Sequence, residues 1–141
     1  MKIIKFRGQR TDNKKWVYGN LMSSSYLPDN ILECFIITCF SGGDEGDIIE
    51  KFKVIPETVG QYIGRKDKNG TDIYKGDIIN WICIGKEGGN TEDIGIEKDM
   101  GNSEVFFEEC KFMAFTTIPV GHFDTEEIEV IGNKHNNKEL L

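Results

Sequence analysis

Apolar residues in this chain occur in short runs separated by turn-forming residues, and no run follows the 3.6-residue period of a helix. The runs are rich in branched and aromatic residues, which favour strands. They read KIIKF, WVYGNLM, ILECFIITCF, IIEKFKVI, DIINWICIG and IEVIG. The sequence therefore predicts a mainly β protein of antiparallel strands with only a few short helical turns.

Side chains alternate between two faces along a strand, so the runs also predict which residues share a face. In WVYGNLM, Val17, Gly19 and Leu21 fall on one face, and Trp16 and Tyr18 fall on the other. The runs ILECFIITCF and IIEKFKVI flank the acidic segment SGGDEGD. This arrangement predicts a long β-hairpin.

The densest group of turn-forming residues is VGQYIGRKDKNGTDIYKGDIINW, residues 59–81. Asp67, Asn69 and Thr71 carry oxygens at alternate positions, as in a calcium loop. Counting from Asp67, however, the sixth residue is Asp72 and the twelfth is Ile78, where an EF-hand needs Gly and Glu. The glycines also lack the spacing of a phosphate-binding loop. We therefore predict two successive turns that lead into a strand.

Charge is unevenly distributed along the 141 residues. The formal net charge is −7, but residues 1–22 hold six Lys or Arg and a single Asp, a formal +5 that leaves −12 for the remainder. The overall charge disfavours a general nucleic-acid binder, because phosphate contacts need clustered cations. The basic N-terminal segment leaves open a small face that contacts nucleic acid or an acidic partner.

No group of residues forms a catalytic or metal-binding pattern. The four cysteines include no CxxC pair, and we interpret all four as buried or half-buried free thiols. A dyad of Cys110 with His122 has no local support. We expect no enzymatic activity, no metal and no cofactor.

The longest apolar run, Cys34–Phe40, is too short to cross a membrane. The N-terminus MKIIKFRGQR has no apolar region typical of a secretory signal. We therefore expect no membrane contact and a cytoplasmic location.

Aromatic residues flank the two predicted turns. Tyr62, Tyr74 and Trp81 either belong to the core or line a groove for a partner, since Tyr and Trp are favoured at interfaces. Together with Arg65 and Asp67, they are the candidate partner-binding residues.

Several segments resemble the YopX family of phage and prophage proteins, in the same order from end to end. They are IIKFRG at 3–8, WVYGNL at 16–21, VIPETVGQYIGRKDKNGTDIYKGDII at 54–79 and IEVIGN with ELL at 128–141. The resemblance implies a β protein from a bacterial cytoplasm, with an N-terminal β segment over residues 1–55 and a small SH3-like barrel over residues 56–141, packed as one compact unit.

The chain departs from the family pattern at two places. Arg65 stands where the family usually carries an apolar residue, which puts a packing role for that position in doubt. Lys134, His135 and Lys138 replace apolar, aromatic and proline residues near the C-terminus, and we expect a less well docked tail.

The resemblance carries no established activity. An all-β chain with strand edges and no catalytic pattern favours a non-enzymatic protein-binding module, or a protein that associates with itself. The alternatives are a nucleic-acid accessory factor in phage replication or expression, and an acidic nucleic-acid mimic that acts on a host protein.

Overall fold

The computed structural model describes residues 3–24, 33–40, 48–84, 97–108, 111–115 and 118–141. The chain divides into two compact units, Met1–Gly64 and Arg65–Leu141, so that residues 56–64 belong with the N-terminal segment. In the described ranges no helix is long and apolar enough to cross a membrane.

The N-terminal unit is built on antiparallel strands, which lie in the order β4-β3-β2-β1-β5. They are β1 (Phe6–Gln9), β2 (Trp16–Ser24), β3 (Glu33–Phe40), β4 (Ile48–Val54) and β5 (Gly60–Lys66), with one 3₁₀ turn at Pro56–Thr58. The pairing of β3 with β4 confirms the predicted hairpin, whose connecting residues 41–47 lie outside the described ranges.

One face of this sheet carries the core of the unit. Cys34, Ile36 and Val54 are buried there, and Phe6, Val17, Leu21 and Val59 pack against them. The pairing of Gly8 with Val17 and of Phe6 with Gly19 confirms the predicted alternation of β2. Trp16 and Tyr18 therefore lie on the opposite face.

The edge strand β4 also contacts the end of β1, which lies three places away in the sheet order. Arg10 bridges to Val54, and the backbone N–H of Ile55 donates to the carbonyl of Gln9 at 2.9 Å. Thr58 strengthens this junction, because its hydroxyl oxygen accepts the N–H of Gln9 at 2.9 Å and its hydroxyl donates to the carbonyl of Ile55 at 2.7 Å.

The C-terminal unit contains two three-stranded antiparallel sheets, β12-β7-β8 and β11-β10-β9. Strand β5 runs past the boundary between the units, and β6 follows it in sheet order. The elements are β6 (Asp72–Tyr74), β7 (Asp77–Ile84), β8 (Glu97–Glu104), β9 (Phe106–Glu108), β10 (Lys111–Ala114), β11 (Ile118–Pro119) and β12 (Ile128–Asn133), with 3₁₀ turns at Val120–His122, Thr125–Glu127 and Lys138–Leu140.

The predicted all-β, antiparallel class is confirmed, but the barrel predicted for the C-terminal half is not closed among the described residues. Strand β7 pairs with β12 on one side and β8 on the other, whereas β9, β10 and β11 pair only with one another. Fully buried apolar side chains of this unit include Ile73, Ile78, Ile79, Val105 and Ile128.

The C-terminal tail is held in place, contrary to the expectation of looser docking. The side-chain amide of Asn102 donates to the carbonyl of Leu140 at 3.0 Å, and Lys134 forms a 2.9 Å ion pair with Glu104. The substituted Lys134 therefore makes its own contact, and Lys138 still begins the closing 3₁₀ turn.

Candidate functional site

Asp67 organises the first of the two predicted turns. It is only 2% exposed, and its Oδ1 accepts the backbone N–H groups of Asn69 at 2.9 Å and Thr71 at 2.8 Å. Its Oδ2 accepts the N–H of Val130, in β12, at 2.9 Å. Both carboxylate oxygens are therefore used to hold a turn and a distant strand together.

The second turn is organised by Asp77 in the same way. Asp77 is 1% exposed, and its Oδ2 accepts the N–H of Tyr74 at 2.8 Å. In the same turn, the backbone N–H of Gly76 donates to the carbonyl of Val105 at 2.8 Å. Tyr74 is 3% exposed, which supports the core role for this candidate residue rather than the groove.

Arg65 clamps a loop in its own unit. Its guanidinium donates to the carbonyls of Val120 at 2.5 Å and Phe123 at 2.8 Å, and to the hydroxyl of Thr125 at 3.2 Å. Burial lowers the pKa of Arg65, although an arginine remains charged in a protein. The departure from an apolar family residue is therefore matched by polar partners.

Trp81 belongs to a cluster of three aromatic rings. Its ring contacts Phe123 edge to face at a centroid distance of 4.9 Å, and Phe115 at 5.5 Å. The indole N–H is buried, with no acceptor among the described residues. Phe115 has a φ of +50°, which is unusual for an aromatic residue. Arg65 and Trp81 therefore both contact Phe123. The Arg65 guanidinium donates to the backbone carbonyl of Phe123, and the Trp81 ring packs against the Phe123 ring.

Tyr62, the remaining candidate, lies in the N-terminal unit and leads to a different surface. The Nζ of Lys5 lies 4.5 Å from the centre of the Tyr62 ring. On the same face, the guanidinium of Arg7 lies 4.6 Å from the Trp16 ring, and the Nζ of Lys51 lies 4.9 Å from the Phe35 ring. Each pair has cation–π geometry.

These pairs define a single surface on the side of the sheet opposite the core. Strand register places its members together, because Arg7 pairs with Tyr18 and Phe35 with Lys53. We call it the basic–aromatic face, and it consists of Lys5, Arg7, Trp16, Tyr18, Phe35, Lys51, Lys53 and Tyr62.

Exposure varies across the basic–aromatic face. Tyr18 is 51% exposed, and Lys51 and Lys53 are exposed on β4. Arg7, at 7%, lies beneath the outer layer. Lys53 forms an ion pair with Glu33 at the end of β3. The face therefore combines a half-exposed ring and exposed lysines with a buried arginine.

Charge is divided sharply between the two units. Residues 1–64 hold eight Lys or Arg and eight Asp or Glu, whereas residues 65–141 hold nine and sixteen. The whole formal charge of −7 therefore falls on the C-terminal unit. The excess of negative charge does not belong to the unit that carries the basic–aromatic face.

Only His122 of the Cys110–His122 dyad considered for catalysis lies in the described part of the chain. His122 is exposed, and Cys110 lies outside the described residues. Among the described residues, no group of three or more His, Cys, Asp or Glu side chains could hold a metal ion. The carboxylate oxygens of Asp67 and Asp77 accept backbone N–H groups, so these two residues stabilise the turns.

The cysteines correct one prediction. Cys34 is buried and Cys83 is half-buried, as expected, but Cys39 is exposed. The register of β3 against β4 shifts on both sides of Cys39, which turns it out of the regular alternation. Burial, followed by the charge of Glu57, raises the pKa of the Cys34 thiol.

Of the candidate partner-binding residues, only Tyr62 lies on the basic–aromatic face, although the alternation of β2 also placed Trp16 and Tyr18 together. The basic N-terminal segment was a usable signal for Lys5 and Arg7, because its cations cluster in the chain. Lys51 and Phe35 carry no such signal, since only the register of β3 and β4 brings them to the same face.

Comparison with known proteins agrees with this fold. Protein EF1440 from Enterococcus faecalis is similar in structure, with a TM-score of 0.62 and 25% sequence identity over 100% of this chain and 99% of that chain. A search of curated proteins found no match. The family model described as YopX protein matches residues 5–141. Because the match covers essentially the whole chain, this protein belongs to the YopX family.

Proposed function

We propose that this YopX-family protein is a non-enzymatic binding module, and that the basic–aromatic face holds a negatively charged macromolecule. The observation that carries the proposal is the set of three cation–ring pairs, Lys5 with Tyr62, Arg7 with Trp16 and Lys51 with Phe35, on one side of one sheet. Following the family resemblance, we place this role in the bacterial cytoplasm, in a phage or prophage context.

The composition of the face supports binding rather than packing alone. Aromatic side chains are enriched where proteins meet partners, because a ring offers a large contact area, and clustered lysines attract polyanions. Tyr18 is half exposed, as are the lysines of β4. Both an acidic protein segment and a nucleic acid carry the negative charge that these lysines attract.

A non-enzymatic role is supported by the use of the buried acids. A general acid or base must reach its substrate with a free proton site. The carboxylate of Asp67 instead accepts the N–H groups of Thr71 and Val130. The carboxylate of Asp77 accepts the N–H of Tyr74. They build the two turns and offer no proton to a ligand.

The proposal is tested by retention on immobilised heparin at low salt, which probes for a polyanion site. The double variant Lys51→Glu/Lys53→Glu should lose retention. The matched control is Lys75→Glu/Lys138→Glu, which changes two exposed lysines of the C-terminal unit and adds the same charge. If both double variants elute together, net charge governs retention and the basic–aromatic face is not the binding surface.

A further inference from the structure

We infer that the ligand of the basic–aromatic face is a single-stranded nucleic acid. This inference rests on the proposed function and names the class of macromolecule that the face accepts.

The rings and the cations of the face are arranged in stripes. Strand β4 contributes Lys51 and Lys53, the adjacent β3 and β2 contribute Phe35, Trp16 and Tyr18, and Lys5 lies beyond them beside β1. In strand order, β3 and β2 lie between β4 and β1. An aromatic stripe is therefore bordered by positive charge on both sides.

This pattern matches the chemistry of an unpaired strand. Single-stranded nucleic acids are held where bases stack on aromatic rings while cations track the phosphates beside them. A duplex hides the faces of its bases, so it would leave the aromatic stripe without a partner. An acidic peptide would engage the lysines alone, since it has no regular series of flat rings to stack on Tyr18.

The negative charge of the whole chain does not oppose this assignment at the face itself. The surplus of acids lies in residues 65–141, and residues 1–64 are formally neutral. The expected consequence is modest affinity that is highest at low salt and carries little preference for base sequence.

The test is fluorescence anisotropy of labelled 15-nucleotide oligo(dT) and oligo(U) as salt is raised. Tyr18→Ala should weaken binding by about 5- to 100-fold, because one stacking platform is lost. Tyr18→Phe keeps the ring and should bind within about twofold of the parent protein. The double variant Lys51→Gln/Lys53→Gln should flatten the slope of log affinity against log salt by about 1.4, from two lost phosphate contacts.

The matched control for the ring is Phe107→Ala. Phe107 is also 51% exposed but lies in the C-terminal unit, so its loss should leave binding unchanged. A duplex of the same length should bind more weakly than either oligonucleotide. Circular dichroism of each variant checks that the strands are intact.

The outcomes separate this inference from the proposed function. Retention on heparin that depends on Lys51 and Lys53, with no binding of oligonucleotides or no effect of Tyr18→Ala, would overturn the nucleic-acid assignment and keep the binding face. Failure to bind both heparin and oligonucleotides would overturn both. An equal loss from Tyr18→Ala and Phe107→Ala would also overturn the assignment, because the effect would not belong to the face.

Discussion

Asp67 accepts the backbone N–H of Val130, 63 residues further along the chain, at 2.9 Å from its Oδ2. The same carboxylate closes its own turn through Oδ1. One side chain therefore joins the turn after β5 to β12 near the end of the chain. A pattern that looks like an ion-binding loop in the sequence is a junction between strands.

Replacing Asp67 with Asn should destabilise the C-terminal unit by about 2 to 4 kcal/mol. The new amide nitrogen cannot accept an N–H, so at least one buried backbone donor loses its charged acceptor. Urea unfolding followed by circular dichroism measures the change. Asp12→Asn is the control, because Asp12 is exposed and pairs only locally with Arg10; comparable losses in both variants would contradict the junction role.

Gly70 lies in the Asp67 turn with a φ of +79°, so Gly70→Ala should cost about 1 to 2 kcal/mol from backbone strain alone. A new Cβ would meet no atom within 4 Å, which excludes a steric clash as the cause. Gly121 has equally open surroundings without a positive φ. Gly121→Ala should therefore be neutral or slightly stabilising, and the comparison of unfolding midpoints isolates the backbone effect.

The alternation of apolar residues predicted much of the N-terminal sheet. In β2, the faces of Val17 and Trp16 follow directly from period-two patterning, because one face must be buried. The turn at Asn69-Gly70 was also predictable, although Gly70 alone adopts positive φ and Asn69 does not. Local sequence is sufficient where a strand has one apolar face and a turn has a glycine.

Strand β8 was not predictable in the same way. Its sequence EKDMGNSE has no apolar alternation, and it pairs with β7 as the last strand of its sheet. Polar contacts support it instead, since the side-chain amide of Asn80 donates to Asp99 at 2.9 Å and to Asn102 at 3.0 Å. These hydrogen bonds form only when β7 and β8 are paired, so no local sequence pattern predicts them.

The basic–aromatic face was predictable only in part for the same reason. Lys5 and Tyr62 are far apart in the chain, and Lys51 reaches Phe35 through hairpin register. The basic character of the first 22 residues indicated that cations gather in this unit. Which rings accompany them depends on long-range pairing.

Trp81→Phe should change stability by less than about 1.5 kcal/mol, whereas Trp81→Ala should cost about 3 to 5 kcal/mol. The conservative change keeps ring contact with Phe123 and Phe115 and removes an indole N–H that has no acceptor in the described ranges. Phe has no such donor, so the cost of burying an unpaired N–H disappears. This gain offsets part of the free energy lost with the smaller buried area. Urea unfolding of both variants, followed by circular dichroism, makes the comparison. A loss from Trp81→Phe as large as that from Trp81→Ala would show that the N–H is satisfied.

Arg65→Met should destabilise the loop at residues 120–125 by about 1 to 3 kcal/mol, because the carbonyls of Val120 and Phe123 lose a charged donor. Hydrogen exchange should quicken at the Phe123 amide, which donates to Val120. Arg65→Lys keeps the charge but not the planar fork, so its effect should be intermediate. An unchanged exchange rate of the Phe123 amide in Arg65→Met would show that the loop is stable without the hydrogen bonds from Arg65.

The C-terminal unit should lose the stabilising contribution of Glu129 as the pH falls below about 4.5. A hydrogen bond from Lys68, supported by the charge of Lys68 and a bond from Asn69, lowers the pKa of Glu129 from its ordinary 4.5 against the opposing effect of desolvation. A carboxyl with a lowered folded pKa contributes stability that is fully present above its unfolded pKa. That contribution is lost as the pH falls through the folded pKa.

Unfolding by urea at pH 7, 5, 4 and 3 tests this dependence. Glu129→Gln should be less stable than the parent protein at pH 7 and 5, and the difference should shrink at pH 4 and 3 as the parent carboxyl becomes protonated. Glu126→Gln, at an exposed position in the neighbouring 3₁₀ turn, should follow the parent protein throughout. A constant difference between Glu129→Gln and the parent from pH 7 to pH 3 would mean that packing, rather than the ion pair with Lys68, accounts for the contribution of Glu129.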